Sequence, residues 1–136
     1  MSVEYRLVNK KNRTMYELGK GGWYDVMTQC GVLHDRDLLR LAIEEALYEP
    51  EPGYVAEIAA ELFEFTKDTP EDQLVVFNDC GDETGICRSI GYRFTGSRYR
   101  PFDMDFLNRH LDGSESSKRR YNIDSWRDHP DFARFA

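Results

Sequence analysis

The chain has 136 residues, of which 40% are apolar and 32% charged, and its formal net charge is −7. A chain of this length and apolar content can bury one hydrophobic core, which excludes a disordered protein and predicts a single domain over residues 1–136.

Three features of the sequence indicate a compartment. Residues 1–6 contain no apolar stretch typical of a signal sequence, and the uncharged runs elsewhere are shorter than the roughly 20 residues that cross a bilayer. The three cysteines, Cys30, Cys80 and Cys87, are odd in number and lack a repeated spacing, which favours reduced and buried thiols. We therefore expect a cytoplasmic protein that does not enter a membrane.

The first half of the chain predicts a β-hairpin followed by two helices. Residues 3–8 alternate as a strand, 9–12 form a polar turn, and 14–18 supply the second strand. Apolar residues then recur at helical spacing from Asp35, a predicted N-cap, to Pro50. A second amphipathic helix is predicted from Gly53 to about Lys67.

The second half predicts a strand-helix-strand unit and C-terminal helices. Residues 73–78 have the composition of a central strand, and the helix that follows closes at Gly91 before a strand at 92–95. The interval 102–111 predicts a helix with Phe102, Phe106 and Leu107 as core contacts. Residues 114–120 are predicted to be an exposed loop, after which the aromatic tail docks back. Together these elements predict an α+β fold.

The negative charge is concentrated in the middle of the chain. Residues 44–83 hold thirteen of the 25 acidic residues and one base, Lys67. Four of these acids are spaced to share one face of the second helix, and four more, on and after the first helix, extend this acidic face. A surface of one charge sign steers association with a basic partner. The candidate partner-binding residues are Glu57, Glu61, Glu64 and Asp68, extended by Glu44, Glu45, Glu49 and Glu51.

The sequence thus favours a small acidic protein-binding domain, for example an immunity or inhibitor protein that neutralises a basic, nucleic-acid-handling partner. We do not predict direct nucleic-acid binding, because a sequence pI near 5.0 disfavours contact with phosphate. The basic residues of the second half, several beside tyrosines, are interpreted as part of a mixed surface. The sequence leaves the oligomeric state open.

An alternative is an enzyme that acts on a phosphorylated or nucleotide-like small molecule. In that hypothesis Lys20, Arg98 and Arg100 would contact the anion. Metal or acid/base roles would fall to three acids after the third strand: Asp79, Asp82 and Glu83. They do not match a calcium loop and are interpreted as turn formers, so no metal site and no cofactor are predicted. The glycines around Lys20 lack a phosphate-binding spacing and predict a turn.

Two short segments resemble other proteins. The opening residues 7–9 with 16–20, and the later 91–92 with 95–99, resemble features of small uncharacterised proteins from bacteria and their mobile elements. The resemblance covers about a third of the chain. It implies a microbial accessory protein, such as an immunity or inhibitor protein, and brings no catalytic residue.

Overall fold

The structure is a computed structural model that describes residues 3–23, 34–99, 103–121, 123 and 126–136. These residues form four strands and six helices, which confirms the α+β prediction. The strands are β1 (Tyr5–Asn9), β2 (Thr14–Gly19), β3 (Leu74–Asn78) and β4 (Arg93–Ser97). The helices are α1 (Arg36–Ala46), α2 (Pro52–Thr66), α3 (Glu83–Ser89), α4 (Met104–Gly113), α5 (Glu115–Tyr121) and α6 (Phe132–Phe135).

The strands form one mixed sheet in the order β3-β1-β2-β4. The predicted hairpin is confirmed: β1 pairs antiparallel with β2. On the other side β1 pairs antiparallel with β3, while β2 pairs parallel with β4. The strand-helix-strand unit therefore crosses the whole sheet, because β1 and β2 lie between its two strands.

The prediction that β3 is a central strand is wrong, since β3 forms an edge of the sheet. Its apolar run has another cause: both faces of the sheet are covered. Leu74 and Val76 pack toward the core on one side, and Val75 packs toward the core on the other. Consecutive apolar residues indicate cover on both faces and do not distinguish an edge from a centre.

Two hydrophobic clusters lie on opposite faces of the sheet. One contains the inward residues of α1 and α2 together with Leu7, Tyr16 and Leu18. The other joins Val8 and Met15 to residues from the later helices and β4. Leu7 and Val8 are neighbours in sequence and both are fully buried, so the sheet is the middle layer of three.

The predicted helices α1 and α2 are confirmed. The Asp35 side chain accepts hydrogen bonds from the backbone N–H groups of Asp37 at 3.0 Å and Leu38 at 3.1 Å, as expected of an N-cap. In α2, Pro52 occupies the first turn, where its missing N–H costs no helical hydrogen bond. The predicted inward stripe of α2 supplies the buried residues Val55, Ile58, Ala59 and Leu62.

The C-terminal part corrects two predictions. Phe106 is 62% exposed and is not a core contact, Leu107 is half-buried, and Phe102 lies outside the described residues. Residues 114–120 are not a loop, because α5 begins at Glu115, where Ser117 and Tyr121 turn inward. The docking of the aromatic tail is confirmed at Phe135, which is buried in the second cluster.

Asn108 covers the outer edge of β4. Its amide nitrogen donates to the Phe94 carbonyl at 2.8 Å, and its amide oxygen accepts from the Phe94 N–H at 3.0 Å. The same oxygen accepts from Arg88 Nη1 at 3.0 Å. One buried side chain thus replaces the missing neighbouring strand at Phe94.

We expect Asn108→Leu to lower the free energy of unfolding by about 2 kcal/mol, because the buried backbone groups of Phe94 lose their partners. Urea denaturation measures the loss. Arg109→Leu, at the exposed next position of α4, is the control and should change stability by less than about 0.5 kcal/mol. Equal effects of the two substitutions would contradict this role of Asn108.

Candidate protein-docking surface

Of the four acidic residues predicted to share one face of α2, Glu57, Glu61 and Glu64 lie along one flank of that helix, whereas the prediction is wrong for Asp68 because the helix ends at Thr66. Glu57 and Glu64 are exposed and Glu61 is half-buried. Asp68 follows the end of the helix in a left-handed conformation, with φ of 59°, and its carbonyl accepts a hydrogen bond from Lys11 Nζ at 2.7 Å. We call these four residues the acidic stripe.

The acidic stripe faces away from α1. Arg36 of α1 stacks over the Phe63 ring at 4.5 Å, which marks the flank of α2 that faces α1. At 3.6 residues per turn, Glu57, Glu61 and Glu64 lie on the side of α2 opposite its buried residues. Of these three, Glu61 and Glu64 lie near β4, because they share a groove with Thr95 and Gly96.

A groove runs between the acidic stripe and β4. Its volume is about 470 Å³, and α2 contributes two carboxylates and Ala60 to it. The Tyr16 ring packs edge-on against Phe65 with centroids 5.8 Å apart, and the Tyr16 hydroxyl donates to Glu61 Oε1 at 3.5 Å. The lining residues are Tyr16, Ala60, Glu61, Glu64, Phe65, Thr95 and Gly96.

Gly96 lies directly against the Tyr16 ring at the β4 side of this groove. A Cβ at this position would lie 2.6 Å from the nearest carbon of the Tyr16 ring, so a side chain here would displace the ring. A glycine inside a strand often marks a close approach of this kind.

The sequence analysis did not identify four residues of the groove: Tyr16, Phe65, Thr95 and Gly96. Only Gly96 carried a usable signal, which is a glycine within a strand.

The four other candidate acids, on and after the first helix, do not line the groove. Glu44 and Glu45 are exposed on α1. Glu49, with φ of 44°, and Glu51 are exposed in the connection before α2. The structure thus brings Glu61 and Glu64 together with β4, whereas none of these four acids lines the groove.

The residues proposed for anion contact are partly brought together. Lys20 and Arg98 line a second cavity of about 420 Å³ with Tyr48 and Tyr54, while Arg100 lies outside the described residues.

Arg98 acts mainly as a structural clamp. Its guanidinium donates to the carbonyls of Leu18 and Lys20, the latter at 3.0 Å, and to the Tyr54 hydroxyl at 3.4 Å. The Tyr54 hydroxyl in turn donates to the Arg98 carbonyl at 2.6 Å. The cation thus joins the end of β2 to α2.

Of the three acids after β3, Asp79 and Asp82 have separate structural partners. Asp79 accepts the Glu4 N–H at 3.2 Å, and Asp82 Oδ2 lies 3.0 Å from His129 Nε2. Glu83 turns back toward Gly81, beside which its Oε2 is buried without a hydrogen-bond partner among the described residues. In the described ranges no three histidine, cysteine or acidic side chains are grouped as metal ligands.

Of the two described thiols, Cys87 is buried as predicted and Cys80 is exposed, which the prediction missed.

A buried ion pair on the opposite face of the sheet was also missed. Arg6 Nε donates to Glu17 Oε2 at 3.0 Å, and Arg6 Nη1 donates to the Thr84 hydroxyl at 2.7 Å. Burial raises the pKa of the Glu17 carboxyl, although the positive charge of Arg6 acts in the opposite direction. Arg6 and Glu17 are direct cross-strand partners, a register that the hairpin sets.

No family model matches the chain, and neither curated proteins nor solved structures match it. Within the described ranges, none of the helices has the length and apolar character needed to traverse a bilayer.

Proposed function

We propose that this protein is a small acidic binding domain that docks on a basic protein and blocks it. The proposal rests mainly on the acidic stripe, which borders a groove lined by both aromatic and carboxylate side chains. Charge of one sign beside such a groove favours a positively charged partner surface.

The composition of α2 supports this proposal. Like charges three and four residues apart destabilise a helix by a few tenths of a kcal/mol per pair. A surface selected for stability alone mixes both signs, whereas residues 44–83 contain a single base. The single sign of this charge is therefore better explained by binding than by stability.

The proposed partner is a protein whose working surface is positive, such as a nuclease or another nucleic-acid-handling protein. The proposed role is that of a cytoplasmic immunity or inhibitor protein. The clamp formed by Arg98 gives the enzyme alternative less support, because three of its donors already serve backbone and phenol oxygens.

The test is capture of partners from native cell extract by three versions of the tagged protein. They are the wild type, a stripe variant with Glu57→Lys, Glu61→Lys and Glu64→Lys, and a matched control with Glu44→Lys, Glu45→Lys and Glu49→Lys. Both variants change the net charge equally, so a general charge effect would affect both.

We expect one basic protein to be retained by the wild type and the control and released as salt rises. Reversal of the stripe should lower its affinity on the order of 100-fold, because like charges then face each other. Equal retention by all three versions would contradict docking through the stripe, as would equal loss in both variants.

A further inference from the structure

The groove between α2 and β4 combines three features, whereas a plain cluster of carboxylates offers only charge. Phe65 provides half-buried aromatic surface beside the fully buried Tyr16 ring, and Glu61 and Glu64 provide two carboxylates one helical turn apart. Gly96 lies against the Tyr16 ring on the β4 side and has no side chain that would occupy the groove. Each feature is suited to a cation that carries an apolar stem.

We propose that this groove receives one arginine side chain of the basic partner, which serves as the anchor of the complex. This inference rests on the proposed function and specifies where in the acidic surface the main contact lies.

Arginine fits the groove better than lysine does. Its guanidinium is planar, stacks on aromatic faces and donates two parallel hydrogen bonds to a carboxylate. Its methylene stem can cover apolar surface while the charge stays near the carboxylates at the rim. Lysine presents a strongly hydrated point charge, which gains less from a flat aromatic wall.

The groove has room for a side-chain occupant. A volume of about 470 Å³ lies within the range of small-ligand sites, roughly 300–1,000 Å³. Buried arginine and aromatic anchors commonly carry most of the binding energy of an interface, while the charged rim mainly sets the association rate. Glu57 and Asp68, which belong to the stripe but do not line the groove, would therefore mainly affect the association rate, whereas a change that fills the groove acts on the anchor.

The first test is an NMR titration of the protein with an acetylated, amidated glycine–arginine–glycine tripeptide. Two further tripeptides carry lysine or citrulline in place of arginine, the latter being a neutral isostere. We expect saturable shifts of the Thr95 and Gly96 amides with the arginine peptide, about tenfold weaker binding with lysine and none with citrulline. Equal binding of lysine and arginine, or shifts confined to other regions, would overturn the proposal.

Two matched variants test the groove without changing the charge: one fills it and the other is the control. Ala60 lines the groove and Ala56 is exposed one turn earlier on α2 outside it, so Ala60→Leu and Ala56→Leu add the same group to the same helix. Alanine and leucine are both good helix formers, so both variants should keep the wild-type fold. Ala60→Leu should weaken arginine-peptide binding by about tenfold or more, and Ala56→Leu should leave it unchanged. Equal behaviour of the two variants would overturn the proposal.

The same pair separates this inference from the proposed function. If the captured partner binds the Ala60→Leu variant as tightly as the wild type but is lost on reversal of the stripe, the groove is not the anchor and the binding function stands. If reversal of the stripe has no effect on capture, the binding function itself fails.

Discussion

Replacement of Gly85 by alanine is expected to lower the free energy of unfolding by about 3 kcal/mol. Inside a helix this substitution ordinarily stabilises a protein by up to about 1 kcal/mol, so the expected sign is reversed. A Cβ at Gly85 would overlap the carbonyl oxygen of Tyr121 and lie 2.7 Å from Trp126 Nε1. The Trp126 indole already donates to that carbonyl at 2.6 Å, which leaves the C-terminal segment little freedom to retreat.

Gly53→Ala provides the matched control. Gly53 lies in the first turn of α2, and a Cβ there would meet nothing within 4 Å. This variant should be as stable as the wild type or more stable by up to about 1 kcal/mol. Urea denaturation followed by circular dichroism measures both variants. A Gly85→Ala protein at least as stable as the wild type would contradict the close packing of α3 against the end of α5.

Local chemistry accounts for the elements that were predicted correctly. Asp35 caps α1 through its own side chain, and the inward residues of α2 follow from helical periodicity. Gly91 has φ of 97° where the helix α3 ends, a conformation that glycine adopts without strain. Each of these signals depends on residues within one or two turns.

The incorrect predictions depended on distant contacts. Residues 114–120 have a polar sequence that suits a loop, yet α5 forms because Ser117 and Tyr121 pack against the rest of the domain. Phe106 has the spacing of a core residue but lies on the outer side of α4, where it stacks with His110. β3 could not be placed at the edge, because apolar composition does not encode strand order.

The candidate site, too, could be predicted from the sequence only in part. Helical spacing predicted that Glu57, Glu61 and Glu64 share one flank of α2. It could not show that β4 would lie beside that flank, because the parallel pairing of β2 with β4 joins segments about 80 residues apart. The groove therefore forms through contacts between distant segments, and its aromatic wall could not be predicted from the sequence.

The second large effect is expected at the buried ion pair, where Arg6→Met should lower the free energy of unfolding by about 3–5 kcal/mol near neutral pH. The substitution leaves the Glu17 carboxylate buried without its cation and removes the donor to Thr84. It also removes the guanidinium that lies 5.4 Å from the centre of the Phe94 ring. Arg93→Met, at a side chain that is 55% exposed, should change stability by less than about 1 kcal/mol and serves as the control.

A double substitution distinguishes lost pairing from lost packing. When Glu17→Met accompanies Arg6→Met, no unpaired charge remains, and most of the lost stability should return. If the double variant is as unstable as Arg6→Met alone, the packing of Arg6 outweighs its pairing with Glu17.

The deficit of Arg6→Met should also depend on pH in a defined direction. Burial already raises the pKa of Glu17 in the folded protein, and loss of the positive charge of Arg6 raises that pKa further. The folded protein then binds a proton more tightly than the unfolded chain, whose glutamate pKa is about 4.3. Stability falls as pH rises through the folded-state pKa and recovers as pH falls toward the unfolded value. The stability deficit relative to the wild type should therefore be smaller at about pH 5 than at about pH 7.5, and a deficit that grows on acidification would contradict a buried, charged Glu17 as its cause.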